Sequence, residues 1–127
     1  MQMTPDKKKN KLYIVVPCYN EEQVLGETSK RLKIKCENLI QKGQISKDSK
    51  IVFVDDGSKD RTWKMISELH ETDSLFSGVK LSRNRGHQNA LLAGLTMASE
   101  HADMAISMDA DLQDDINAVD QMIEKYY

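Results

Sequence analysis

Ile51-Val52-Phe53-Val54-Asp55-Asp56-Gly57-Ser58 is an apolar, largely β-branched run that stops at two acids and a glycine turn. An apolar run without polar alternation reads as a strand buried on both faces, which is characteristic of parallel sheets covered by helices. Downstream, Trp63, Ile66 and Leu69 recur at helical spacing, so a helix follows the strand. Upstream, Leu12-Tyr13-Ile14-Val15-Val16 is a second run of the same kind, ended by Pro17. Asn20 is placed to cap the next element, in which Leu25, Thr28, Leu32, Cys36 and Leu39 keep a three-or-four spacing until Gly43 closes it.

The alternation continues toward the C-terminus. Val79-Lys80-Leu81 reads as a weaker third strand, then Arg83-Asn84-Arg85-Gly86 leads into a helix whose Ala90, Ala93, Gly94 and Ala98 permit close packing on a sheet. Met104-Ala105-Ile106-Ser107-Met108 is the fourth strand, and Ile116, Val119, Ile123 and Tyr126 mark a final helix. Strands alternating with helices predict an α/β fold: a Rossmann-like parallel sheet with flanking helices and right-handed crossovers. Such sheets bind ligands at the carboxyl ends of their strands, and every polar cluster falls there. Residues 1–10 read as a polar leader and 11–127 as one domain, with Gly43 to Ser49 the one linker-like stretch inside it.

Composition narrows the class of function. The chain has 127 residues, with 18 basic and 20 acidic side chains and a formal net charge of -2, so it carries no general basic surface for nucleic acid. Cys18 and Cys36 have neither a secretory leader nor a paired metal-ligand spacing, and are expected to be reduced thiols in a cytoplasmic setting. No run approaches the roughly 20 apolar residues of a membrane span. His70, His87 and His101 show no ligand spacing and read as helix-surface residues, and no nucleophilic triad is visible.

Three strand-end clusters can carry chemistry. In Asp109-Ala110-Asp111-Leu112-Gln113-Asp114-Asp115, the first two acids point to one side if strand geometry persists, and the small Ala110 leaves room for a ligand. Magnesium or manganese, hard cations, favour such oxygen donors together with phosphate oxygens, and the bound metal neutralises a departing diphosphate. Capping of the following helix by Asp114 or Asp115 is the simpler alternative. Asp55 and Asp56 sit at a turn where a carboxylate can accept hydrogen bonds from uracil or guanine, while Gly57, Ser58 and Asp60 are explained by a turn and a helix cap. Pro17-Cys18-Tyr19-Asn20-Glu21-Glu22 adds a ring and polar groups beside the same cleft. Arg83 and Arg85 precede a helix, where cations are disfavoured unless an anion is near; a diphosphate and the acids Asp109, Asp111 and Asp114 are both available as that anion.

Taken in order, Val16-Pro17-Cys18-Tyr19-Asn20-Glu21, Asp55-Asp56-Gly57-Ser58 and Asp109-Ala110-Asp111 resemble glycosyltransferase family 2, with its GT-A fold, over roughly residues 11–127. Ser82-Arg83-Asn84-Arg85-Gly86-His87-Gln88-Asn89-Ala90-Leu91 and Asp109 to Asp114 are similar to the polyprenyl-phosphate branch, which includes dolichol-phosphate mannose synthases and undecaprenyl-phosphate glycosyltransferases. The resemblance implies that Pro17, Tyr19, Glu21 and Asp55 contact the nucleotide, that Arg83 approaches nucleotide or phosphates, and that Asp109, Asp111 and Gln113 surround Mg2+ or Mn2+ on the diphosphate. Asn20, Asp56 and Asp109 complete the expected nucleotide-binding set, with Asp111 stabilising the leaving group through the metal.

The implied reaction is inverting transfer of a hexose from a UDP- or GDP-linked sugar to a polyprenyl phosphate at the cytoplasmic face of a membrane. That acceptor is already ionised and needs no added base, and none is identified. Where the family often has a proline after the last acid of the motif, this chain has Asp115-Ile116. The chain is expected to be the nucleotide-binding half of the fold, cut before the acceptor half, with membrane association carried by regions outside it. A saccharide acceptor, a binding-only donor fragment and a receiver-like signalling domain are the competing readings.

Overall fold

The computed structural model describes residues 10–111 and 116–127. Eight elements alternate along the chain: β1 (Leu12–Cys18), α1 (Leu25–Gln41), β2 (Lys50–Asp55), α2 (Thr62–Thr72), β3 (Phe76–Lys80), α3 (His87–His101), β4 (Met104–Ser107) and α4 (Ala118–Tyr126). The strands form one parallel sheet in the order β3-β2-β1-β4. This is the expected Rossmann-like α/β architecture. A receiver domain instead has the flavodoxin-like order 2-1-3-4-5, so the strand order removes that alternative.

Order follows from chain direction. The first two crossovers step outward from β1 through β2 to β3, and the third returns past both to lay β4 on the other side of β1. Right-handed connections then put the third helix on the opposite face. Side-chain alternation along the central strands confirms the division. Leu12, Ile14, Val16 and Cys18 of β1 and Ile51 and Phe53 of β2 meet α1, α2 and α4, whereas Val15, Val52 and Val54 meet Ala90 and Ala98 of α3.

Each helix buries the face its sequence marks. Leu25, Thr28, Leu32, Cys36 and Leu39 of α1 are all buried, as are Ile66 of α2 and Val119 and Ile123 of α4. On α3 the small residues bring the helix close: a Cβ added at Gly94 would lie 2.4 Å from Val15 Cγ1 and 2.8 Å from Val54 Cγ2.

Some boundaries differ from expectation. The third strand covers Phe76–Lys80, not Val79 to Leu81, and is anchored by Phe76 stacked on Phe53 with ring centroids 6.0 Å apart. The fourth strand ends at Ser107, before Met108. Asn20 does not cap α1, which begins at Leu25 after Val24. Asn20 is held instead at φ 52°, a left-handed conformation that asparagine tolerates better than most residues. Gly43 to Ser49 is not a linker. Ile45, Ser46 and Ser49 are buried, and Ser49 Oγ accepts the Leu12 N–H at 2.9 Å while donating to Ser46 O at 2.7 Å, so the segment closes the lower end of the sheet. Among the described residues no helix is long and apolar enough to cross a membrane.

Candidate functional site

A cleft of about 190 Å3 opens at the carboxyl edge of the sheet. One wall is the end of β1 with its loop, contributing Pro17, Cys18, Tyr19 and Glu21; the other is Asp56 with Asn84, Gly86, His87 and Ala90. The walls meet because β1 and β2 are neighbours in register, Cys18 opposite Asp55, and because Asp56 N–H continues the ladder to Cys18 O at 2.8 Å.

The two acids after β2 have separate surroundings. Asp55 is fully buried; its Oδ1 accepts the Ser58 N–H at 3.3 Å, and its Oδ2 has no partner among the described residues. A buried carboxylate oxygen without a donor is costly and is met by a ligand, an ion or water far more often than left empty. Asp56 is also buried, but Oδ1 accepts the Arg85 N–H at 2.7 Å and Oδ2 the Gly86 N–H at 3.1 Å. Both of its oxygens are therefore committed to the loop before α3.

The β1 and β2 loops are stapled to one another. Asn20 N–H donates to Ser58 Oγ at 2.9 Å, and Asn20 Oδ1 accepts the Lys59 N–H at 2.8 Å. Glu21 N–H donates to Thr62 Oγ1 at 2.8 Å, and Asp60 accepts from the Thr62 hydroxyl at 2.6 Å, the Thr62 N–H at 2.9 Å and the Glu22 N–H at 3.3 Å. Burial alone would raise the Asp60 carboxyl, but those hydrogen bonds hold it below the usual carboxylate range. Tyr19, 41% exposed, is left free to offer its ring to the cleft.

The Asp109–Asp111 turn lies beyond β4. Because the strand stops at Ser107, alternation does not carry through to Asp109 and Asp111, and the same-side argument from strand geometry does not apply. Nor does Ala110 leave room for a ligand: it is 4% exposed and packed in the main core. The turn is fixed in another way, by Thr28 of α1, whose hydroxyl donates to the Ala110 carbonyl. That places half-buried Asp109 and exposed Asp111 on either side of an anchored residue. Asp111 adjoins the β1 loop electrostatically: the Glu21 carboxyl is pushed up first by burial, then by the negative charges of Asp111 and Asp60. Gln113, Asp114 and Asp115 lie outside the described residues.

Among the described residues no three His, Cys, Asp or Glu side chains gather into a metal cage. A cation held by one or two carboxylates and otherwise by phosphate oxygens needs no such cage. Asp109 and Asp111, held on either side of the anchored Ala110, are oxygen donors of the type that Mg2+ or Mn2+ takes.

Arg83 and Arg85 are exposed, and among the described residues neither is in an ion pair. Arg83 is positioned by its backbone: a Cβ at Gly57, which has φ 74°, would lie 2.6 Å from Arg83 C and 2.4 Å from Asn84 N. Of the histidines, His70 Nδ1 lies 2.8 Å from Phe76 O and His101 stacks on Tyr13, both structural roles; His87 lines the cleft. Sequence reasoning passed over His87, Asn84 and Thr28. For His87 the signal was its place directly after the Arg83 to Gly86 loop, whereas Thr28 merely filled an apolar position of the helical pattern. Cys18 faces the cleft but is buried, and burial, with Glu21 and Asp55 adding negative charge, raises its thiol far above the usual range.

Comparison with known proteins identifies the family and the fold. The family model described as glycosyl transferase family 2 matches residues 13–127. The uncharacterised glycosyltransferase YkoT of Bacillus subtilis (strain 168) is 52% identical over 116 residues, which are 91% of this chain and 34% of that protein. An undecaprenyl-phosphate 4-deoxy-4-formamido-L-arabinose transferase of Enterobacter sp. (strain 638) is 35% identical over 124 residues, 97% of this chain and 36% of that protein. The chain thus spans about a third of the length of the curated relatives it matches. Among solved structures, the mannosyltransferase PcManGT of Pyrobaculum calidifontis, in complex with GDP-Man and Mn2+, superposes with a TM-score of 0.63 at 24% identity, over 91% of this chain and 32% of that one. With a family model matched over all but its first twelve residues, the chain belongs to glycosyl transferase family 2.

Proposed function

We propose that this chain is the donor-binding portion of a metal-dependent, inverting glycosyltransferase that moves a hexose from a nucleotide diphosphate sugar to a polyprenyl phosphate. One observation carries the reading: the ends of β1 and β2 and the loop before α3 share a single cleft, and the acidic turn after β4 adjoins it through Glu21. Pro17, Tyr19, Asn20, Glu21 and Asp55 then serve the nucleoside, with Asp56 in the cleft wall and Arg83 toward the phosphates. Asp55 Oδ2, buried and without a partner among the described residues, has the acceptor chemistry that the N–H groups of uracil or guanine require. Asp109, Asp111 and Gln113 are the residues to hold Mg2+ or Mn2+, which supplies charge neutralisation of the departing diphosphate. Support for the acceptor comes from the Enterobacter relative, whose name specifies undecaprenyl phosphate, and support for the donor and metal from PcManGT with its GDP-Man and Mn2+. A lipid-linked acceptor puts the parent enzyme at the cytoplasmic face of a membrane.

Titration calorimetry of the chain with UDP and with GDP, each with Mn2+ or Mg2+, tests this. Binding of one nucleotide that requires the metal, and loses it when Asp109 and Asp111 are both changed to Asn, is the expected result. Absence of binding by both nucleotides, or binding indifferent to the double substitution, overturns the site.

A further inference from the structure

Asp56 resembles a second ligand-reading acid in sequence, yet in the fold it contacts the protein's own backbone. It is 3% exposed, and its two oxygens receive the Arg85 and Gly86 N–H groups at 2.7 and 3.1 Å. Those amides sit just before α3, where Gly86 has φ 91° and α3 has no side-chain cap. Asn84 Oδ1 shares the Gly86 N–H at 3.1 Å, so this is the point at which the loop is gathered before the helix begins. One residue on, Gly57 presses against the same loop, with no room for a Cβ between it and the Arg83–Asn84 backbone. Pulled by Asp56 and seated on Gly57, the loop has its position set by the end of β2 rather than by its own exposed side chains. Asn84 and Gly86 of that loop, with His87 at the start of α3, line one wall of the cleft.

We propose that Asp56 is a positioning residue: its carboxylate docks the 83–86 loop onto the end of β2, so that the loop wall of the cleft and Asp55 move as one unit. The inference rests on the nucleotide-binding reading for its functional consequence but not for its structural content. An ionised carboxylate accepting two N–H groups is the chemistry required; asparagine supplies one acceptor and sets an NH2 group against the other amide. Asp56→Asn therefore frees one end of the loop without removing bulk.

Two measurements test it. In amide hydrogen exchange followed by NMR, Arg85 and Gly86 should be protected in the native chain despite lying in a surface loop. In Asp56→Asn their exchange should accelerate at least tenfold while the β1 and β2 amides keep their rates. Unchanged protection at Arg85 and Gly86, or equal acceleration across the sheet, overturns the proposal whether or not nucleotide binds. The second measurement is a double-mutant cycle for UDP and GDP affinity with Mn2+. Asp56→Asn should weaken binding about tenfold in the native background and less than twofold when Asn84→Ala and His87→Ala together have already removed the side chains of the loop wall. Equal weakening in both backgrounds means that Asp56 does not act through the loop and overturns the proposal. Failure of the native chain to bind either nucleotide counts against the nucleotide reading alone and leaves the exchange result to decide the role of Asp56.

Discussion

Gly94→Ala places two opposing effects on one methyl group. Inside a helix alanine is favoured over glycine by about 0.8–1.0 kcal/mol, and on α3 in isolation the substitution would be stabilising. Against the sheet, the new carbon meets Val15 Cγ1 at 2.4 Å and Val54 Cγ2 at 2.8 Å, where unstrained carbons sit at about 3.5–4.0 Å. Both valines are fully buried in the central strands, and β-branching leaves their side chains few alternatives. Relief must come from lifting α3 by about an ångström, which loosens Ala90 and Ala98, the helix's own anchors in that core. Overpacking of this kind costs about 1–3 kcal/mol, and two clashes with immobile partners put it at the upper end. Packing wins over propensity, leaving a net loss of about 2 kcal/mol. Urea unfolding followed by circular dichroism should show the midpoint lowered by about 1 M for an m-value near 2 kcal/mol/M. Gly26→Ala is the control, since it lies in the first turn of α1 with nothing within 4 Å of the added carbon, and it should hold or raise the midpoint. A Gly94→Ala chain as stable as the native one would refute the close approach of α3 to the sheet.

Other expectations concern the anchored loops. Thr28→Val keeps the volume of the side chain but leaves the Ala110 carbonyl without its donor, so stability should fall by about 1–3 kcal/mol and Mn2+ affinity in the presence of nucleotide should fall with it, while Thr28→Ser restores both. Parallel denaturation and metal titration of the two variants check this, and a Thr28→Val chain with native metal affinity would detach the helix from the acidic turn. Asp60 has a folded-state carboxyl below its ordinary value of 3.8, so the unfolded chain takes up its proton first on acidification. Its contribution to stability is full above that ordinary value and is lost as the pH falls through the depressed folded value. Urea midpoints measured from pH 6 down to about 2.5 should therefore fall less steeply for Asp60→Asn than for the native chain across the acid limb.

Much of the fold was legible because burial on two faces leaves a plain pattern. Leu25, Thr28, Leu32, Cys36 and Leu39 marked the inner face of α1, and the unbroken Ile51 to Val54 run marked a central strand. The edge strand β3 was harder: Ser77 and Gly78 interrupt its apolar run, and Phe76, its true anchor, stood apart from Val79. Glycine at 78 is explained only by the fold, since a Cβ there would lie 2.6 Å from Ile66 Cγ2. At the site, residue types indicated the cleft but not the division of labour within it. Asp55 and Asp56 are adjacent acids in sequence; only the fold shows that Asp56 has both oxygens occupied by the 83–86 loop while Asp55 has one without a partner among the described residues. Ala110 and Thr28 were likewise beyond periodicity, because their relation is a hydrogen bond between segments 82 residues apart.

The place of β1 in the middle of the sheet also governs how the fold is reached. The β1-α1-β2 and β2-α2-β3 units pair strands that are near in sequence, so three strands can assemble in step with the chain. The other edge of β1 waits for β4, whose Met104 pairs with Leu12 across nearly the entire described chain. Closing so long a loop is opposed by chain entropy until α3 has packed across the back of the sheet, so in stopped-flow refolding the β1–β4 pairing is expected to form after the β1–β2 and β2–β3 pairings. Until it happens, the acidic turn that follows β4 has no fixed place beside the β1 loop.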